Sequence, residues 1–153
     1  MSRMRKLLEY VGLAAIIIAI DQFTKWWALN SLYEPRLINE FLTFDLVLNR
    51  GVSWGLLHSA DSSSFIMVGL MSVSFVLILL WFTVRQWRER FSIFGETLVL
   101  AGAISNLIDR VVYKGVVDFI VLSYNDWSWP VFNIADCCIV LGTFLIITKL
   151  YKQ

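Results

Sequence analysis

Residues 64–84 read SFIMVGLMSVSFVLILLWFTV, a run without one charged side chain. As a helix rising about 1.5 Å per residue it reaches roughly 30 Å, the thickness of a bilayer's hydrocarbon core. The rest of the chain agrees, with 58% of its 153 residues hydrophobic and 16% charged, an imbalance expected where lipid is the solvent. The net charge of +1 supplies no basic field, so no nucleic-acid partner is expected. Neither a Gly/Ser-rich nor a Pro-rich linker interrupts the chain, which predicts one domain over residues 1–153.

Outward from this run, three further apolar stretches appear. Residues 11–20 continue past Asp21 and Lys25 to residue 29, and they span only if those two charges, on one helical face at i,i+4, satisfy each other inside the protein. A cleaved leader competes for this stretch, since Arg3, Arg5 and Lys6 precede it. Yet Asp21-Gln22-Phe23-Thr24-Lys25 follows instead of a small-residue cleavage site, so a retained span is expected. Residues 131–148 are interrupted only by Asp136, whereas 97–108 is shorter and runs into Asp109-Arg110, an end that must be buried in protein.

Basic residues gather at Arg3/Arg5/Lys6, at Arg85/Arg88/Arg90 and at Lys149/Lys152, which predicts both termini and the second connection on the cytoplasmic side. The expected fold is an all-α integral membrane protein of four transmembrane helices, N-in and C-in. Its outer connections are residues 30–63 and 111–130. Within the first, residues 42–46 partly alternate and Asn49-Arg50-Gly51 is turn-like, predicting a small extracytoplasmic β-like cradle. Trp26, Trp27, Trp127, Trp129 and Phe132 suit an aromatic belt at the membrane interface. Cys137 and Cys138, the only cysteines, are adjacent and read as small buried apolar residues without a disulfide.

Two acids are unexplained by packing. Asp118 follows the third apolar stretch, and Asp136 lies roughly 9 Å into the fourth if that helix starts at Pro130; both fall at the outer end. Helices joined by a connection of this length are expected to be neighbours, so the carboxylates can meet. Like-charge repulsion and desolvation then raise one pKa, leaving one group ionised and one protonated. The ionised member can take a proton from an attacking water while the other donates to the oxyanion, which is peptide hydrolysis with neither metal nor cofactor. Asn106 with Arg110 (i,i+4) and Asn133 with Asp136 (i,i+3) give two polar faces able to converge on one cavity, the amides binding an extended backbone and Arg110 anchoring a carbonyl. By themselves the same acids also suit a proton-coupled transporter or a polar-glued scaffold. His58 belongs to no triad, and no metal-ligand cluster or phosphate-binding loop is visible in the sequence.

Asp21-Gln22-Phe23-Thr24-Lys25, Asn49-Arg50-Gly51, Asn106-Leu107-Ile108-Asp109-Arg110, Val117-Asp118-Phe119 and Phe132-Asn133-Ile134-Ala135-Asp136, in this order and spacing, resemble the signal peptidase II (lipoprotein signal peptidase) family over nearly the whole chain. The resemblance implies a multi-pass enzyme of the bacterial cytoplasmic (inner) membrane, working near the extracytoplasmic face. Its implied substrate is a prolipoprotein, cut just before a cysteine that carries diacylglycerol. It implies Asp118 and Asp136 as the catalytic pair, Asn49, Gly51, Asn106, Arg110 and Asn133 around the substrate, and Asp21 and Lys25 as support. Membrane lipid is the expected surrounding partner, and a monomer suffices because one chain holds both acids. Ala101-Gly102, where Gly-Gly is common in the family, and Ser53-Trp54 after Asn49-Arg50-Gly51 are departures that bear on pocket shape.

Overall fold

The computed structural model describes residues 2–51, 62–125 and 127–151. Ser53, Trp54, His58 and Lys152, which entered the expectations above, lie outside the described residues. The described residues form four helices: α1 Arg3–Ser31, α2 Ser62–Arg88, α3 Phe94–Tyr113 and α4 Ile134–Leu150. Arg3–Ser31 and Phe65–Arg88 are long and apolar enough to cross a membrane. On α2 the large side chains of Ile66, Leu70, Leu77, Ile78 and Trp81 point outward and are exposed, a surface that water disfavours and lipid accommodates. The helices α3 and α4 are shorter, at 20 and 17 residues.

The central helix is α3, which packs against all three others. Leu98 and Ala101 on α3 join Ile17 on α1 in a core extended by Leu13, Ala14, Ile18, Cys138 and Leu145. Contact between α3 and α4 depends on the absence of side chains. A Cβ on Gly142 would lie 2.6 Å from the Gly95 carbonyl oxygen, and one on Gly102 would lie 2.8 Å from the Ile139 side chain and overlap the Ala135 carbonyl. The two backbones therefore approach closely. Ala101, beside Gly102, is fully buried, so its extra methyl is absorbed by the core and the close approach is kept by Gly102.

The α1–α2 and α3–α4 connections both contribute to one sheet. The strands β1 Arg36–Asn39, β2 Leu42–Asn49, β3 Val116–Tyr124 and β4 Trp127–Ser128 lie in the order β1-β2-β3-β4, antiparallel throughout. The register of β2 on β3 sets Leu42 opposite Leu122 and Asn49 opposite Val116, with a bulge between Phe44 and Val47. The mostly helical fold with a small sheet is as expected, but the sheet is not confined to the first connection: among the described residues the second connection supplies two of its four strands. Val116-Val117-Asp118-Phe119-Ile120-Val121-Leu122 is rich in β-branched and aromatic residues, and both faces of its first half are buried. A strand covered on both sides lacks the alternation that marks a half-exposed one.

Beneath the sheet, Phe119 packs with Ala28 of α1 and Leu32 just past its end, joined by Trp27, Phe44, Leu46 and Ile120. Trp27 stands edge-on to Phe44 at 5.7 Å and to Phe119 at 6.3 Å. Trp26 is exposed and stacks on Phe23. The pair expected together in an aromatic belt is thus split, because successive helical residues face different directions.

Candidate active site

Lys25 organises the polar interior. Its side chain is buried within α1, and its ammonium lies 2.7 Å from both Asp21 Oδ2 and Asp109 Oδ2, while also donating to Asn106 Oδ1 at 2.7 Å. All three ammonium protons thus have acceptors. One cation does not neutralise two carboxylates, and the remaining charge is met by hydrogen bonds. Asp21 accepts from Ser105 Oγ and from the backbone N–H of Ala135, each at 2.7 Å; Asp109 accepts from Gln22 Nε2 at 2.7 Å and from the Val117 N–H at 3.1 Å. A buried ion pair survives only when its other lone pairs are satisfied in this way. The expected Asp21–Lys25 pair is therefore part of a larger cluster pinning α1, α3, the start of β3 and the start of α4. Sequence reasoning passed over Gln22, Ser105 and Asp109 as functional residues. The signal was available: a fully buried acid at the end of an apolar run requires a cation, and Lys25 was at hand.

The cluster orients the layer in front of it. With its Oδ1 held by Lys25, Asn106 turns its Nδ2 to Asp136 Oδ1 at 2.8 Å. Asn133 caps α4: its Oδ1 accepts the Asp136 N–H at 3.0 Å, and its own N–H donates to Asp136 Oδ2 at 3.2 Å, a reciprocal capping box. The free amide end of Asn133 donates to Asp118 Oδ1 at 2.7 Å and to Asn106 Oδ1 at 3.2 Å. One asparagine thus touches both carboxylates. Asp136 lies in the first turn of α4 rather than roughly 9 Å inside it, because the chain from Pro130 to Asn133 is not helical and the helix begins only at Ile134. The i,i+3 relation of Asn133 and Asp136 is accordingly that of a cap and its N3 residue, not of two residues on a helical face.

Backbone pairing brings Asp118 to this place. One edge of β3 pairs with β2, setting Val47 opposite Asp118; at the other edge Ile120 bridges to Phe132, with Phe119 N–H to Phe132 O at 3.1 Å and Phe132 N–H to Ile120 O at 3.0 Å. Phe132 immediately precedes the cap, so the strand carries Asp118 against Asn133. From β2, Asn49 Nδ2 reaches Asp118 Oδ2 at 3.0 Å, while Asn49 Oδ1 accepts the Gly51 N–H at 3.1 Å. Asp118 is only 2% exposed. That burial, reinforced by the neighbouring charge of Asp136, pushes its carboxyl up to about 7 against the pull of Asn49, Asn133 and Lys25.

Arg110 donates from Nη2 to the Gly51 carbonyl at 3.2 Å, tying α3 to the chain just past β2. Its Nη1 is buried and has no hydrogen-bond partner among the described residues. Arg110 and Asn106 line a cavity of about 280 Å³ whose remaining wall is mainly apolar side chains of α2, α3 and α4. Across α4, Asp136 borders an open groove of about 540 Å³ lined by Leu122, Trp129, Phe132, Val140 and Phe144. Cys137 lines it too and is exposed, so it is not the buried residue expected; both cysteines are free. All nine site residues read from the sequence thus join one connected polar assembly at a single end of the bundle. What it offers chemically is a carboxylate pair, one member with its carboxyl raised to about 7, between an apolar groove and a half-buried guanidinium.

A bundle with lipid-suited outer faces and a bridged carboxylate pair under a small sheet belongs to the class of helical membrane hydrolases. The profile of the signal peptidase (SPase) II family matches residues 13–152. The chain is 34% identical to a lipoprotein signal peptidase of Polynucleobacter necessarius subsp. necessarius (strain STIR1), over 92% of this chain and 88% of that one. It is 37% identical to a lipoprotein signal peptidase of Rickettsia bellii (strain OSU 85-389), over 89% and 71% respectively. A solved bacterial membrane enzyme, determined by the in meso method at 1.9 Å resolution, superposes with a TM-score of 0.76 at 25% identity, covering 95% of this chain and 94% of that one. This chain is a member of the signal peptidase II family of peptidases.

Proposed function

We propose that the chain is an endopeptidase of the bacterial cytoplasmic membrane that removes the signal peptide of diacylglyceryl-modified prolipoproteins, with Asp118 and Asp136 as its catalytic pair. The observation that carries this reading is Asn133 joined to both carboxylates. Asp136, the other member of the pair, is assigned as the ionised partner that takes a proton from the attacking water. Asp118, whose carboxyl is raised to about 7, is assigned as the member that donates to the carbonyl oxygen. Collapse of the tetrahedral intermediate breaks the C–N bond, and the departing amine leaves with a proton from the pair.

The surroundings support the substrate assignment. The groove beside Asp136 suits acyl chains arriving laterally from lipid, while Arg110 Nη1 and Asn49 are donors suited to an extended peptide backbone. For topology we infer four spans with N-in/C-in orientation. The start of α1, the end of α2 and the end of α4 meet at one end through Arg3 Nη2 to Trp87 O at 2.7 Å and Lys149 Nζ to Gln86 Oε1 at 3.2 Å. This basic end is assigned to the cytoplasm, and the sheet and carboxylates to the opposite face. One domain acting as a monomer, without metal, cofactor or nucleic acid, is sufficient for this chemistry.

The test is cleavage of a lipid-modified precursor by purified wild type, Asp118→Asn and Asp136→Asn at equal folded concentration. Turnover is expected to fall at least about 10³-fold in each variant. Normal turnover by either would reject the pair. Equal cleavage of a precursor with unmodified cysteine would remove the lipid requirement while leaving the peptidase assignment.

A further inference from the structure

At the end of the bundle away from the carboxylate pair, two cavities adjoin. One, of about 540 Å³, is lined by Arg3, Lys6, Arg90, Tyr10, Trp87 and Ser92. The other, of about 320 Å³, runs between α1, α2 and α3 and is almost wholly apolar, with Val11, Ala14, Leu80, Val84, Leu100 and Ile104 in its walls. Tyr10 and Trp87 line both. The two rings meet edge to face at 6.2 Å and stand at the junction of the charged and apolar parts.

The charged cavity has an excess of cations. Nearby acids are already engaged: Glu9 with Arg5 at 3.4 Å, Glu89 with Arg85 at 3.1 Å and Glu96 with Lys149 at 3.2 Å. Arg3 donates to the Trp87 carbonyl at 2.7 Å and lies over its ring at 5.0 Å, but has no carboxylate partner among the described residues, and the same holds for Lys6 and Arg90. Three cations on one cleft, brought together from α1 and the α2–α3 connection, call for an anion. The apolar part has its own measure. From Ile93 to Ile104 along α3 it extends roughly 16 Å at helical rise, about half of the roughly 30 Å hydrocarbon core and hence the depth of one leaflet.

We propose that the joined cavities are a binding site for an anionic phospholipid, its phosphate between Arg3, Lys6 and Arg90 and one acyl chain in the groove between α1, α2 and α3. The occupant is a lipid rather than a soluble anion because the cationic cleft opens onto an apolar channel one leaflet deep. It is an anionic lipid rather than any lipid because three unneutralised cations form the headgroup end. Tyr10 and Trp87 sit where amphipathic rings are favoured, between headgroup and chain. This site is separate from the groove at Asp136 and does not depend on the catalytic assignment.

The experiment titrates delipidated protein in neutral detergent with phosphatidylglycerol, phosphatidylcholine or glycerol phosphate, reading bound lipid by native mass spectrometry and thermal shift. Phosphatidylglycerol is expected to bind at least about tenfold more tightly than phosphatidylcholine, with glycerol phosphate competing weakly. Lys6→Gln/Arg90→Gln, both at exposed positions, should abolish that preference, while Arg36→Gln/Arg88→Gln, the same charge change outside the cleft, should retain it. Val11→Trp, at an exposed position on the groove wall, should weaken phosphatidylglycerol without changing the fold. Equal binding of the two lipids, equal loss in the control double variant, or full competition by glycerol phosphate would each overturn the proposal.

Discussion

Asp118 has its raised carboxyl because the fold withholds water from it and sets a second carboxylate nearby. The consequence for stability has a definite sign. A folded-state value of about 7, above the roughly 4 of an exposed aspartate, means that ionisation opposes folding. The penalty is absent below about pH 4, grows between about 4 and 7 and is fully present above, on the order of a few kcal/mol. Wild-type melting temperature in detergent should therefore fall from pH 5 to pH 8, and Asp118→Asn should flatten that slope; identical slopes would contradict the raised value. If Asp118 is the proton donor, kcat should also decline above about pH 7, approaching tenfold per pH unit. A flat profile to pH 9 would reassign that role. Lys25 carries the opposite kind of prediction. Lys25→Met leaves Asp21 and Asp109 buried without their cation, a loss of about 3–5 kcal/mol visible as a collapse of the thermal transition.

Among the secondary-structure elements, the decisive contact is α3 on α4. Gly102 lies one turn before Asn106 and faces Ala135, the neighbour of Asp136. The glycine contact thus sets the reach of the Asn106 amide to Asp136. Gly102→Val should force the helices apart, lowering both melting temperature and turnover, with kcat falling at least about tenfold, whereas Gly69→Ala, where an added Cβ meets nothing within 4 Å, should leave both within error. The pairing of β3 with Phe132 works in the same way, since it holds a strand residue against a helix cap. These contacts also explain why the sheet was only half foreseen. The first connection displayed partial alternation, but the first half of β3 is buried on both faces and carries no such pattern.

For the molecule as a whole, charge and polarity separate along the bundle. Basic residues, with Tyr10 and Ser92 joined at 3.2 Å, occupy one end, and the sheet with its carboxylates occupies the other. If the basic end faces the cytoplasm, a green fluorescent protein fused after residue 151 should fluoresce, and an alkaline phosphatase inserted at Asn125 should be active; the reverse pair of results would invert the topology. Much of this architecture was legible from composition and periodicity alone. Lipid as solvent, four apolar stretches, the basic clusters and the two unexplained acids all follow from free energies of transfer, which act on each residue according to its own chemistry. The family motifs added which polar residues belong together. Pairwise geometry across the fold was a different matter: that Asn133 is a helix cap bridging both acids, that Asp109 completes the cluster around Lys25, that Trp26 and Trp27 part company, and that the second connection builds half the sheet. Those outcomes depend on hydrogen bonds and close packing between residues far apart in the chain, and such contacts acquire direction only when the backbones have met.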